Sequence, residues 1–462
     1  MKTRTTVTTT ILLSLLLCSM ALSQKEMPPE GGQPKDFVLP PKVTFTLDNG
    51  LKATCVEFGA VPKVMIRAVV RSGNVDEGEN ETWLADLTGA MMKEGTTTRP
   101  SEEIAREAAK MGGGIDVNVG EDQTQIAGEV LSEFGGDFVK LVADVVRNPK
   151  FPESELGRLR NDAIRQLSIS KANPGSMATE VFRKLLYPGH PYGRLFPTER
   201  MLQGYTLENV KAFYAKNYGA RRTHVYVAGK FDQATIEKAI RDAFGGWAPG
   251  PDLVEDIAKP VSKRDVRIVD RPGAPQSTVI IGLPVVDPSD KDFRAFTLMN
   301  YLLGGSFGSR ITANIREDKG YTYSPFSTVS SRYRSAYWAE TASVTTNVTG
   351  PSIKEILYEI NRLQQEAPST EELKGIQNYA AGVFVLQNSS SNGIINQLSF
   401  LDLHGLPESY LTDAVKNIYA VTPAQVQQLC ARYLKTDEMR IVIAGDRKKI
   451  EKQVAPYGRI VR

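Results

Sequence analysis

The segment Thr206-Leu-Glu-Asn-Val210, running on through Ala215 to Val225-Tyr-Val-Ala-Gly229, returns later in the chain as Thr422-Pro-Ala-Gln-Val426, through Ala431 to Ile441-Val-Ile-Ala-Gly445. The two copies stand 216 residues apart throughout (206 to 422, 229 to 445), with no gap. In each, a threonine opens an apolar pattern of helical period, as an N-cap does. After a short turn comes a run of apolar residues that reads as a buried strand ending in Ala-Gly. A further helical pattern follows each copy, over 233–244 and 448–454. A period this long marks a duplicated domain rather than a solenoid of small repeats.

Outward from the first copy, the N-terminal half opens with a hairpin. Strands at 43–47 and 51–56 flank the turn Asp48-Asn49-Gly50, whose Asn-Gly pair is a strong short-range hairpin signal. A third strand-like run covers 64–70. Helical patterns lie at 82–94, 102–111, 138–146 and 153–170, with strands at 114–119 and 123–130. The second half follows the same order: a strand at 277–283, a helix at 293–303, then strands, helices and the repeated tail. Between the halves, Trp247-Ala-Pro-Gly-Pro251 opens a proline-rich, charged linker ending at 264. The expected fold is α+β: two homologous domains, 42–246 and 265–462, joined by a linker at 247–264. Each would hold a mixed or antiparallel sheet flanked by helices, and each is of ordinary domain size.

With 462 residues there is material for a large core, and a net charge of +3 gives no case for nucleic acid as a partner. Lys2 and Arg4, an apolar run over 11–18 and then Ala21-Leu22-Ser23 have the layout of a secretory leader cleaved after Ser23. Without Lys2 and Arg4 the net charge is +1. The apolar run is too short for a stable membrane span, so the expectation is an exported protein, periplasmic in a bacterium with two membranes. Cys18 raises a lipoprotein alternative, for which its neighbours Leu17, Ser19 and Met20 make a poor case. The segment 24–41, rich in proline, glycine and charge, reads as a flexible lead-in. Cys55 and Cys430 lie one in each half. A disulfide is open to them, but two buried thiols suit so large a core better.

The stretch Trp83-Leu-Ala-Asp86-Leu-Thr-Gly89-Ala90-Met-Met-Lys-Glu-Gly95-Thr96 resembles the metal-binding helix of the pitrilysin/insulinase family of zinc metallopeptidases. There the same frame reads roughly Gly-Leu-Ala-His-x-x-Glu-His-Met and ends in Gly-Thr. Two imidazoles four residues apart share one helical face and can hold one metal, and the glutamate between them can deprotonate its water. In this chain the histidine positions fall on Asp86 and Ala90 and the glutamate position on Gly89. By the family's spacing, the third ligand maps onto Gln166. A methyl, a bare glycine and a neutral amide do not make a zinc site, so no cofactor is expected on this chain. The resemblance extends over nearly the whole mature chain, through Asp48-Asn-Gly-Leu51, His190-Pro-Tyr-Gly193 and the segment 304–323. It implies two similar halves closing like a clam shell around a peptide chamber.

In 304–323 the family shows a glycine-rich turn, then an arginine with a tyrosine seven residues on. Gly304, Gly305 and Gly308 match the turn, and Arg316 and Tyr323 match the pair. The resemblance implies that Arg316 and Tyr323 reach the substrate across the chamber, and that the strand 112–119, with Asn118, pairs with an extended peptide. Gly304-Gly-Ser306-Phe-Gly308 also satisfies the serine-hydrolase elbow, but that motif needs a preceding strand, and here a helix is expected. His190, His224 and His404 have no companion at ligand spacing. Asp86 joined by Asp116 or Asp122 is a remote alternative metal site.

Three readings follow. The first is the non-metal subunit of a two-chain peptidase, lending Arg316 and Tyr323 to a homologous partner that carries the zinc, as the family's mitochondrial processing peptidase is divided. The second is an inert scaffold or peptide-binding protein of the same fold. The third is a hydrolase acting through Ser306.

Overall fold

A computed structural model describes residues 35–461. The leader, Cys18 and the lead-in as far as 34 lie outside the described residues. Asp36–Arg462 forms one compact unit, organised by two six-stranded sheets. The first runs β1-β2-β6-β3-β5-β4, with β1 at Lys42–Thr46, β2 at Lys52–Glu57, β3 at Lys63–Val70, β4 at Asp116–Val119, β5 at Thr124–Leu131 and β6 at Thr223–Gly229. The second runs β12-β7-β11-β8-β10-β9, with β7 at Asp265–Asp270, β8 at Gln276–Val285, β9 at Phe326–Arg332, β10 at Ser335–Thr345, β11 at Arg440–Gly445 and β12 at Ile460–Val461.

The duplication thus extends to topology. β2-β6-β3-β5-β4 matches β7-β11-β8-β10-β9, and in both series the first pair is parallel and the rest antiparallel. Only the outer strand differs: β1 pairs antiparallel with β2 through the Asp48-Asn-Gly50 turn, whereas β12 pairs parallel with β7. The repeated helices are Leu207–Asn217 and Pro423–Tyr433. Thr206 Oγ1 accepts from the Asn209 N–H at 3.3 Å and Thr422 Oγ1 from the Gln425 N–H at 3.2 Å, so both threonines are N-caps.

The repeated strands read as unbroken apolar runs because they are buried on both faces. Val225 and Val227 of β6 enter one core while Tyr226 and Ala228 enter another. Ile441 and Ile443 of β11 are likewise separated from Val442 and Ala444. Each sheet's second face is covered by a helix of the other half. Pro174–Leu186 sets Ala178, Phe182 and Leu186 against Ile280, Val442 and Ala444 of the second sheet. Ser391–His404 sets Ile394, Ile395 and Leu398 against Val56, Val69 and Tyr226 of the first. Each buried Val, Leu, Ile or Phe among them contributes about 1.5–3 kcal/mol, and the exchange interlocks the two halves. At the crossing, Arg332 is 4% exposed. It lies beside the rings of Tyr187, Tyr192 and Tyr337 and pairs with Glu121, which also holds Arg183 at 2.8 Å.

Some elements depart from the pattern read in the sequence. The helix expected over 293–303 is α-helical only over Phe293–Asn300 and continues as a π-helical turn, Tyr301–Gly305. The linker is fastened: Trp247 and Ala258 are buried, and the Val261 N–H donates to Leu186 O at 2.8 Å. The described end of the lead-in is also fastened, with Phe37 edge-on to Phe384 at 5.3 Å and Leu39 packed beside it. Cys55 and Cys430 are buried free thiols whose pKa values burial pushes up to about 12. No helix among the described residues is long and apolar enough to cross a membrane.

Candidate functional site

The helix Leu84–Met92 carries the ligand-like frame. Trp83, where the family frame has glycine, opens it in the left-handed region at φ 68°, a conformation that bulky residues avoid. Its indole N–H donates to Leu195 O at 3.1 Å and its ring meets Phe196 edge-on. Asp86 and Ala90, four apart, share one helical face. Gln166, on the facing helix Glu153–Ala172, looks onto the same space. All three ligand positions therefore line one cavity, of about 420 Å³, floored by Leu87, Ala90, Leu159 and Ala163, while the position of the base, Gly89, lies outside it. Gly89 is buried on the neighbouring face, against the edge strand β4, where a Cβ would stand 2.6 Å from Val119 Cγ2 and 3.4 Å from Val117 Cγ1. The backbone of this helix has closed on the strand at the position where the frame has glutamate.

Asp86 accepts from Asn74 Nδ2 at 2.7 Å. The same amide donates to Glu77 Oε1 at 3.1 Å, and that oxygen also accepts from the Ala85 N–H at 3.0 Å. Glu77 is 5% exposed, and burial pushes its pKa up to about 8. Asp86 is raised as well, chiefly because the protein around it displaces water. Among the described residues Asp86 forms no ion pair. Asp162 on the cavity rim is paired with Arg158 and Arg165. Asp116 pairs with Lys93 at 3.2 Å, and Asp122 accepts from the Tyr192 hydroxyl and the Tyr333 N–H, so each has partners of its own. No group of three or more His, Cys, Asp or Glu among the described residues is placed to hold a metal. On donor chemistry, a methyl, a carboxylate and an amide do not fit zinc.

In the second half, Arg316 sits in a second π-helical turn, Ala313–Asp318. Its guanidinium lies 5.0 Å from the centroid of the Tyr323 ring and 4.2 Å from that of Phe307. Tyr323 is 81% exposed and Phe307 74%. Among the described residues Arg316 pairs with its chain neighbour Glu317, at 3.4 Å. The structure thus brings the Arg316–Tyr323 pair together and adds Phe307, which the sequence reading passed over. The only signal for it was an aromatic residue inside a glycine-rich turn. Gly304 and Gly305 are buried: a Cβ on Gly304 would meet Ser327 Oγ at 2.6 Å and Glu340 Oε2 at 2.7 Å, and one on Gly305 would meet Asn300 Nδ2. Interior packing accounts for these two glycines, while Gly308 faces open space.

Ser306 is buried, follows a helical turn rather than a strand, and donates to Tyr301 O at 2.8 Å. His404 is buried, which lowers its pKa to about 4. His190 accepts from the Tyr192 N–H at 3.1 Å within its Pro-Tyr-Gly turn. His224 contacts the Thr54 and Tyr226 hydroxyls. β4 is the edge of the first sheet, with Asp116 and Asn118 exposed and Val117 and Val119 turned toward Gly89. Its outer backbone groups can take another strand.

The family model described as insulinase (peptidase family M16) matches residues 60–195, and the one described as peptidase M16 inactive domain matches 204–379. An "uncharacterized zinc protease" of Rickettsia felis is 25% identical over 345 residues, 74% of this chain and 82% of that protein. A "non-peptidase homolog YmxG" of Helicobacter pylori is 21% identical over 398 residues, 84% of this chain and 90% of the relative. The crystal structure of a peptidase M16 inactive domain from Pseudomonas fluorescens is 26% identical, covers 87% of this chain and 98% of its own, and superposes with a TM-score of 0.81.

Proposed function

This chain belongs to the insulinase family, peptidase family M16, and we propose that it is the non-metal subunit of a heteromeric metalloendopeptidase. The observation that carries the proposal is the Arg316–Tyr323 pair, a half-buried guanidinium 5.0 Å from an exposed ring, in a chain whose ligand positions cannot hold zinc. A guanidinium and a phenol can both donate hydrogen bonds to a peptide carbonyl as negative charge develops on its oxygen. Phe307 and Tyr323 fix the guanidinium by contact with its cationic plane. The metal belongs to a homologous partner. An extended peptide substrate would pair with β4 beside Asn118 and lie near Gly308. The leader directs the assembly out of the cytoplasm, to the periplasm in a bacterium with two membranes.

A second reading, an inert scaffold or peptide-binding protein, draws support from the Helicobacter relative named a non-peptidase homolog. Mixing separates the two. The purified chain is expected to hydrolyse no peptide alone and to form an active complex with an exported homologue that carries His-x-x-Glu-His. A complex that forms without any gain of activity decides for the scaffold.

A further inference from the structure

The cavity over the abandoned ligand positions has a character of its own. Its walls are apolar: Leu87, Ala90, Leu159, Ala163 and the Trp83 indole. One carboxylate faces it without a cation, Asp86, held by the Asn74 amide at 2.7 Å and by no ion pair among the described residues. The Gln166 side chain adds a carbonyl oxygen on the opposite helix, and its Nε2 donates to Ser170 Oγ at 3.4 Å. Asp162 and Arg165 on the rim neutralise each other at 2.6 Å. Asp86 is open to solvent in this cavity, so an incoming cation can reach its carboxylate, and opposite charge there favours a cationic group over a neutral one.

The backbone points the same way. Trp83 is held at φ 68°, a strain that persists only where surrounding structure imposes it, and the result is an indole on the cavity wall. An indole lining the same cavity as a carboxylate suits a cation carried on an aliphatic stem. The same helix packs by Gly89 on the β4 edge, so the cavity and the edge strand share one wall.

We infer that this cavity binds a lysine or arginine side chain of a peptide, with the cationic head on Asp86 and Gln166 and the stem along Trp83, Leu87 and Ala90. The inference rests on the proposed function for the peptide, but not for a partner or its metal.

The test uses the full chain alone and two blocked peptides of threonine and valine that differ only at the centre, lysine in one and norleucine in the other, compared by calorimetry. The lysine peptide is expected to bind at least about tenfold more tightly, the low end for hydrogen bonds to a charged group. Asp86→Asn, nearly isosteric, is expected to erase that preference and leave the norleucine peptide unchanged. Equal affinities of the wild-type chain for the two peptides overturn the inference while peptide binding itself survives. Binding of neither overturns the inference together with the peptide reading. A lysine preference that persists when no partner activates the chain leaves this site standing and the peptidase reading refuted.

Discussion

Replacing Gly89 by alanine is expected to destabilise the protein, although alanine is the better helix former. The added methyl would stand 2.6 Å from Val119 Cγ2 and 3.4 Å from Val117 Cγ1, whereas carbon atoms pack best at about 3.5–4.0 Å. Val119 is stiff at χ1 and cannot swing aside cheaply. Relieving the contact moves either the side chain off its rotamer or the helix off β4, which costs about 1–3 kcal/mol. Helix propensity returns about 0.8–1.0 kcal/mol, so the net loss is about 1 kcal/mol. Gly157 and Gly382 supply the control: both lie inside helices with nothing within 4 Å of the missing Cβ. There alanine should add up to about 1 kcal/mol. Urea unfolding of the three variants measures the contrast, and Val119→Ala should rescue Gly89→Ala in a double-mutant cycle. A Gly89→Ala protein that gains stability as Gly157→Ala does would refute the reasoning. If the contrast holds, glutamate cannot return to position 89 without moving β4, and the site is closed by packing as well as stripped of ligands.

Glu77 makes stability depend on pH in a definite sense. Its folded pKa of about 8 lies above the ordinary 4.5, so the folded state holds the proton more tightly. That advantage is complete below about 4.5 and is lost as pH rises through about 8. Glu77→Gln keeps an acceptor for Asn74 and Ala85 and removes this loss; its stability relative to wild type should rise between pH 5 and pH 8.5, and a constant difference in urea midpoints would contradict the assignment. Glu121→Ala leaves Arg332 and Arg183 buried without their anion, for which a loss of about 3–5 kcal/mol is expected; a thermal midpoint unchanged from wild type would speak against the buried cluster. Phe307→Leu keeps apolar bulk but loses the ring beside Arg316, worth about 0.5–1 kcal/mol at an exposed site. Turnover by the mixed enzyme should drop by a few fold with no change in melting temperature, and equal turnover would remove Phe307 from the site.

Much of this architecture could be read from the chain because duplication repeats its own evidence. Two capping threonines, two double-faced apolar strands and a constant offset imply two like sheets, and the structure has them in one strand order. The exchange of the 174–186 and 391–404 helices could not be read, because an amphipathic helix names a face to bury and not the sheet that buries it. The ligand-like frame led to Asp86, Ala90 and Gln166, which share a cavity. It also suggested Gly89 beside them, but the absent side chain there serves contact with β4. Gly304 and Gly305 fit the pattern of a substrate turn, yet Ser327, Glu340 and Asn300 already fill the space that side chains would need. Phe307 went unnoticed because exposure is a property of the folded chain.

The central claim is that Arg316 acts at a metal held by another subunit. The direct measurement is kcat for peptide hydrolysis by the mixed complex, with this chain as wild type or as Arg316→Ala. Loss of one fixed donor to a developing oxyanion predicts a fall on the order of 10²–10³, with complex formation intact. A mixed complex fully active with Arg316→Ala, or a wild-type chain that alone holds one tight zinc and cleaves peptide, would contradict the account.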